Sequence, residues 1–105
     1  MINIKDPEAL AAHADEASQL MRAMSNPNRL MILCTLSEGE LSVGQLNDRV
    51  PLSQSALSQH LSVLRRDGLV RTRREQQSIY YRLEDGPAIE MIQTLHNLYC
   101  GKDAD

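Results

Sequence analysis

The sequence predicts a mainly α-helical domain carrying one small β-hairpin, and three observations predict it. An Asp or Asn followed by Pro opens a helical pattern twice, at Asp6-Pro7 and Asn26-Pro27. Two serine-capped amphipathic segments stand on either side of a short turn near Pro51, and past Gly68 the apolar period changes from helical to alternating. The expected order is four helices, two strands and a fifth helix.

A chain of 105 residues has room for one hydrophobic core, so residues 1–105 are read as a single domain. Apolar residues make up 42%, yet Trp and Phe are absent and Tyr occurs three times, so Leu, Ile, Val, Met and Ala must build that core. Small domains bury a limited share of their surface, and pairing with a second copy is a natural supplement. No run approaches the roughly 18 apolar residues of a membrane span, and Met1 to Ala9 lack a basic stretch followed by an apolar one; a cytoplasmic protein with no membrane partner is expected. Two cysteines are no disulfide framework, and in a reducing compartment a bridge between them would be conditional.

The elements follow in order. Asp6 is an N-cap with Pro7 at the first helical position, and Leu10, His13, Ala14, Ala17, Leu20, Met21 and Met24 recur at helical spacing. Asn26 and Pro27 repeat the device before Arg29 to Leu36, where the nearly uninterrupted apolar run Leu30 to Cys34 predicts a helix buried on several sides. Ser42 and Gln45 form a capping box and Leu41 and Leu46 a hydrophobic staple, opening a short third helix that ends near Val50 and Pro51. Leu52, Ser53 and Leu57 repeat the staple and cap, and Leu57, Leu61 and Leu64 mark a buried stripe running to a stop at Gly68.

Two capped helices around a short turn are the pattern of a helix-turn-helix. At about 100° per residue, Ser55, Gln59, Ser62 and Arg66 point away from the Leu stripe, with Ser58 beside them and Gln54 at the helix start. Slim side chains that both donate and accept hydrogen bonds suit base edges in a major groove about 12 Å wide, whereas an ordinary solvent face more often carries Glu and Lys. Past Gly68, Leu69 to Arg74 and Ser78 to Leu83 alternate as two strands around a polar tip, Glu75-Gln76-Gln77, which makes a wing. Arg71, Arg73 and Arg74 are placed for phosphates or for the minor groove, contacts that position a protein without reading sequence. Charge agrees: residues 1–52 carry a net −3, residues 53–82 a net +4 and residues 83–105 a net −4. The predicted fold is therefore a winged helix-turn-helix.

Gly86-Pro87 opens a last helix whose Ala88, Met91, Ile92, Leu95, Leu98 and Tyr99 supply an apolar stripe. With the first helix it is the expected dimer surface, and packing back onto its own protomer is the alternative. No Gly-rich phosphate loop, nucleophile elbow or clustered carboxylate pair speaks for an enzyme; Glu84 and Asp85 are read as a helix cap. A protein-interaction module on the same fold stays open, although it would gain little from an arginine wing beside a Ser/Gln face.

The run Leu52-Ser53-Gln54-Ser55-Ala56-Leu57-Ser58-Gln59-His60-Leu61-Ser62-Val63-Leu64-Arg65-Arg66-Asp67-Gly68-Leu69-Val70 closely resembles the recognition helix and wing start of the arsenic-repressor (ArsR/SmtB) family, as does Ser25-Asn26-Pro27-Asn28-Arg29-Leu30. The resemblance extends from about Ala14 to Cys100. It implies a homodimer on an inverted-repeat operator in double-stranded DNA, usually a repressor released by a chemical signal. Where metal-sensing members carry a Cys-x-Cys type motif this chain has Ser42-Val43-Gly44, and its last helix offers Glu90 and His96 without a second helical His. A closed metal site wants about four ligands, so no metal and no cofactor is expected; His13, His60 and His96 are read as structural or exposed. The placement of Cys34 in the second helix and Cys100 just past the last resembles the thiol-based, sulfide- and redox-responsive subgroup of BigR-like, SqrR-like and HlyU-like regulators. That resemblance implies a switch in which oxidants or reactive sulfur species join the pair through a disulfide or a longer sulfur chain. Taken without it, Cys34 is equally a small core residue, Cys100 a tail residue, and the regulator one with another effector, constitutive binding or an anti-silencing role.

Overall fold

Two capped prolines set the first pair of helices. In this computed structural model, which describes residues 6–99, Asp6 accepts from the Glu8 and Ala9 amides at 3.1 and 3.4 Å and opens α1 (Pro7–Met24). Asn26 accepts from the Asn28 and Arg29 amides at 2.9 and 3.1 Å and opens α2 (Pro27–Leu36). Each cap satisfies donors that the first helical turn leaves without a partner. The Arg29 guanidinium then reaches back to the α1 C-terminus, donating from Nε to the Ala23 carbonyl at 2.7 Å and from Nη2 to that of Arg22 at 3.4 Å, which ties the two helices.

As its apolar run predicts, α2 is the central helix. Ile32, Leu33 and Leu36 are fully buried, Leu30, Met31 and Cys34 pack against the core, and α2 touches every other helix as well as the sheet. The capping box at α3 (Val43–Arg49) is present in both halves: the Gln45 amide donates to Ser42 Oγ at 3.2 Å, and the Ser42 amide to Gln45 Oε1 at 2.9 Å. The short link to α4 (Gln54–Arg66) is held by Asn47 Nδ2 donating to the Leu52 carbonyl, and Ser53 Oγ caps α4 by accepting from the Ala56 amide at 3.1 Å. At the far end Gly68 takes φ +76°, its amide donates to the Arg65 carbonyl and that of Leu69 to the Leu64 carbonyl. These two bonds make a Schellman stop, which needs a left-handed residue where glycine stands.

The sheet is larger than the predicted hairpin. Leu41–Ser42 forms a strand, β1, that pairs antiparallel with β3 (Ser78–Leu83), and β2 (Val70–Glu75) lies on the other side, giving the order β1-β3-β2. Leu41 and Ser42 thus open the third helix and close a sheet edge at once, and two residues are too few for an alternating pattern to reveal. The wing tip is also tighter than expected: Glu75 pairs with Ser78, leaving a two-residue turn, Gln76-Gln77, in which Gln76 has φ +56°. The last described element is α5 (Pro87–Tyr99), which sends Ala88 and Ile92 into the core. Glu84 does not cap α5 as expected; its carboxylate lies 3.4 Å from Arg71.

Candidate nucleic-acid interface

Burial on one side of α4 decides what the other side presents. Leu57, Leu61 and Leu64 are at most 1% exposed, so the helix cannot rotate without opening the core. Its opposite face stands in solvent, with Gln54, Ser55, Ser58, Gln59, Ser62 and Arg66 all exposed and His60 half-buried at the flank. The side chains of Gln54, Ser55, Ser58, Gln59 and Ser62 make no hydrogen bond among the described residues, so their donors and acceptors are uncommitted. The neighbouring Ser53 is spent on the helix cap.

The three wing arginines do not share one face. Strand alternation puts Arg71, Arg73 and Glu75 on one face of β2 and Thr72 and Arg74 on the other. Arg71 pairs with Glu84 and Arg66 with Asp67, at 3.4 and 3.2 Å. Arg73 is the most engaged: its fork donates to Glu40 Oε1 at 2.8 Å and to Glu75 Oε2 at 2.6 Å, and the guanidinium lies 4.6 Å from the Tyr80 ring centroid. Hydrogen bonds to Glu40 first, and then to Glu75, raise the pKa of Arg73 above its already high ordinary value. Arg74 is exposed and has no carboxylate within 4 Å among the described residues.

Sequence reasoning missed Glu40, Glu75 and Tyr80 as partners of Arg73. Glu75 was within reach of it, two positions along one strand face, and Tyr80 is the cross-strand partner that the hairpin register dictates. Glu40, 33 residues earlier, carries no local signal.

Apolar side chains are exposed on the first and last helices. Among the large apolar side chains, Leu10 and Met21 of α1 and Leu98 and Tyr99 of α5 are 38%, 56%, 58% and 73% exposed. Cys34 is half-buried on α2, and just past the end of that helix Ser37 and Glu38 line one depression with Gln93, His96 and Asn97 of α5. Cys100 lies outside the described residues. Among the described residues no three His, Cys, Asp or Glu side chains converge as a metal site requires, and no helix is long and apolar enough to cross a membrane.

Residues 26–72 match the profile described as "Bacterial regulatory protein, arsR family". The chain is 52% identical over 99 residues to the "Transcriptional activator HlyU" of Vibrio cholerae, covering 94% of this chain and 89% of that protein. It is 41% identical over 96 residues to the "Biofilm growth-associated repressor" of Xylella fastidiosa, covering 91% and 84%. Among solved structures, reduced HlyU from Vibrio cholerae superposes with a TM-score of 0.84 at 53% identity over 87% of this chain and 96% of that one. A homodimeric winged helix-turn-helix DNA-binding domain from Mycobacterium bovis superposes with a TM-score of 0.76 at 26% identity, over 91% and 89%.

Proposed function

The chain belongs to the arsR family of bacterial regulatory proteins and is a DNA-binding transcriptional regulator rather than an enzyme, and from that premise we propose that it works in the cytoplasm as a homodimeric repressor, released from an inverted-repeat operator by a thiol signal at Cys34 and Cys100. The uncommitted polar face of α4, held outward by three buried leucines, carries the reading. Gln54, Ser55, Ser58, Gln59 and Ser62 read base edges in the major groove, while Arg66, Arg71 and Arg74 neutralise phosphates and set the register, and Arg73 does so only where a phosphate displaces its carboxylate partners. Residues 1–105 act as one unit for both DNA binding and pairing.

Pairing runs through α1 and α5, whose exposed apolar side chains the protomer covers only in part. A two-fold dimer then presents two copies of α4 to two half-sites. A similar chain among the solved structures is named as a homodimer, which favours the same arrangement here.

The switch follows from where α2 lies. It touches both α4 and α5, so a cross-link from Cys34 acts on the helix that joins the DNA face to the dimer face. With an organic persulfide as oxidant, one thiolate takes the outer sulfur and releases the thiol RSH. The second cysteine then attacks that persulfide, forming the disulfide and releasing hydrogen sulfide; a peroxide reaches the same disulfide by being reduced to water. A similar chain has been solved in a form described as reduced, which accords with a chemistry of two thiol states.

One observation favours a second reading of the output: the relative at 52% identity is named an activator. A dimer that blocks polymerase at one promoter displaces a silencer at another, with the same DNA chemistry.

The test is a gel shift on the chain's own upstream region with reduced and persulfide-treated protein, each followed by intact mass. Treated protein is expected to lose the shift with a mass change at Cys34 and Cys100, and Cys34→Ser or Cys100→Ser to hold DNA under both conditions. A signal response retained in both variants overturns the two-thiol switch.

A further inference from the structure

The Arg73 guanidinium is already bound to an anion on each side. Glu40 reaches it from the segment before β1, across the sheet, and Glu75 from the wing tip, while Tyr80 supports its plane from below. A guanidinium fork donates to a carboxylate and to a phosphate with the same geometry, so a phosphate of a DNA backbone would compete with these two carboxylates for the same donors. We propose that Glu40 and Glu75 are affinity-setting residues of DNA recognition, built-in phosphate mimics that occupy Arg73 and hold down the protein's attraction to DNA of any sequence. The proposal rests on the DNA-binding reading and adds to it a reason why that binding depends on the α4 face.

The physical argument is one of exchange. Phosphate reaches Arg73 only by displacing charge-assisted hydrogen bonds at 2.8 and 2.6 Å, and the freed carboxylates then lie beside the DNA backbone and repel it. Glu75 is 61% exposed at the wing tip, where that repulsion is greatest. Arg74, one residue away on the opposite face and without a carboxylate among the described residues, meets phosphate with nothing to displace and is the internal control. Sequence-blind attraction grows with each phosphate that a cation neutralises, and a regulator must leave generic DNA to find its site. Masking one arginine of the net +4 segment, residues 53–82, lowers that attraction without touching the Ser/Gln face.

The experiment measures binding of wild type, Glu40→Gln/Glu75→Gln and the same pair with Arg73→Ala to a scrambled duplex and to the matched operator, across a series of salt concentrations. A fourth protein, Asp48→Asn/Asp85→Asn, has the same change in net charge at two exposed sites, one on α3 and one in the turn before α5. The wing pair of glutamines is expected to tighten scrambled DNA by about three- to tenfold, the scale of one or two exposed ion pairs. It should steepen the slope of log K against log salt by about one, the share of one further phosphate contact. Matched DNA tightens by no more than scrambled DNA does, Arg73→Ala cancels the gain, and the control pair changes binding little. Weaker binding by the glutamine pair, an unchanged slope, or a gain that survives Arg73→Ala overturns the proposal and leaves the carboxylates as wing supports. Wild type that binds neither duplex at low salt overturns the DNA-binding reading instead, which keeps the two failures apart.

Discussion

The α3–α4 region and the α1/α5 surface differ in how much of their surface the protomer itself completes. In α3 and α4, Leu46, Leu57, Leu61 and Leu64 are at most 1% exposed, and both helices begin on side-chain caps from their own flanks. On α1 the Asp6 cap is equally good, but Leu10 and Met21 of α1 and Leu98 and Tyr99 of α5 keep between 38% and 73% of their surface in water. Local hydrogen bonding is therefore no guide to whether an element is finished. Capping satisfies backbone donors within four residues, while an apolar stripe needs a facing surface, and α1 has only Ala23 and Met24 buried in this chain.

Substitutions can break that comparison. The largest effect is expected on the unfinished side: Met21→Asp with Leu98→Asp should give a monomer by sedimentation equilibrium while keeping the far-UV helix signal. Operator affinity should fall by roughly 10²–10⁴, because two linked half-site contacts become one. A dimer that persists would mean these side chains are not the pairing face. On the finished side, Leu61→Ala should cost about 2–5 kcal/mol of unfolding free energy in a denaturant titration, since nothing nearby can fill the space. Gln59→Ala should leave the thermal midpoint unchanged and remove about 1–3 kcal/mol of preference for matched over scrambled operator; equal loss on both duplexes would make Gln59 a backbone contact. Smallest is Gly68→Ala: beyond its two chain neighbours no atom lies within 4 Å of the added Cβ, so the φ of +76° is what opposes it, and a cost of about 1 kcal/mol in a thermal melt is expected.

Much of the fold is legible because its signals are short in range. The Asp6-Pro7 and Asn26-Pro27 starts, the Ser42/Gln45 box, the Ser53 cap and the Gly68 stop each lie within a few residues, and each forms as read. The exposed Ser/Gln face is legible for the same reason, since burial of Leu57, Leu61 and Leu64 implies it at helical spacing. The wing shows where such reasoning stops. Its strands alternate as expected, with Arg71 and Arg73 on one face and Arg74 on the other, but the alternation says nothing of the carboxylates of Glu84 and Glu40 that meet Arg71 and Arg73.

What the amino-acid order settles alone is the set of helices, their ends and which side of each is apolar, because caps, stops and stripes are decided by neighbours a turn or two away. Folding in three dimensions decided the rest. It joined Leu41–Ser42 to β3 as a third strand, tied α1 to α2 through Arg29, and brought Glu40 across 33 positions onto Arg73. Those contacts depend on how finished elements meet in space, and no spacing along the chain encodes that distance.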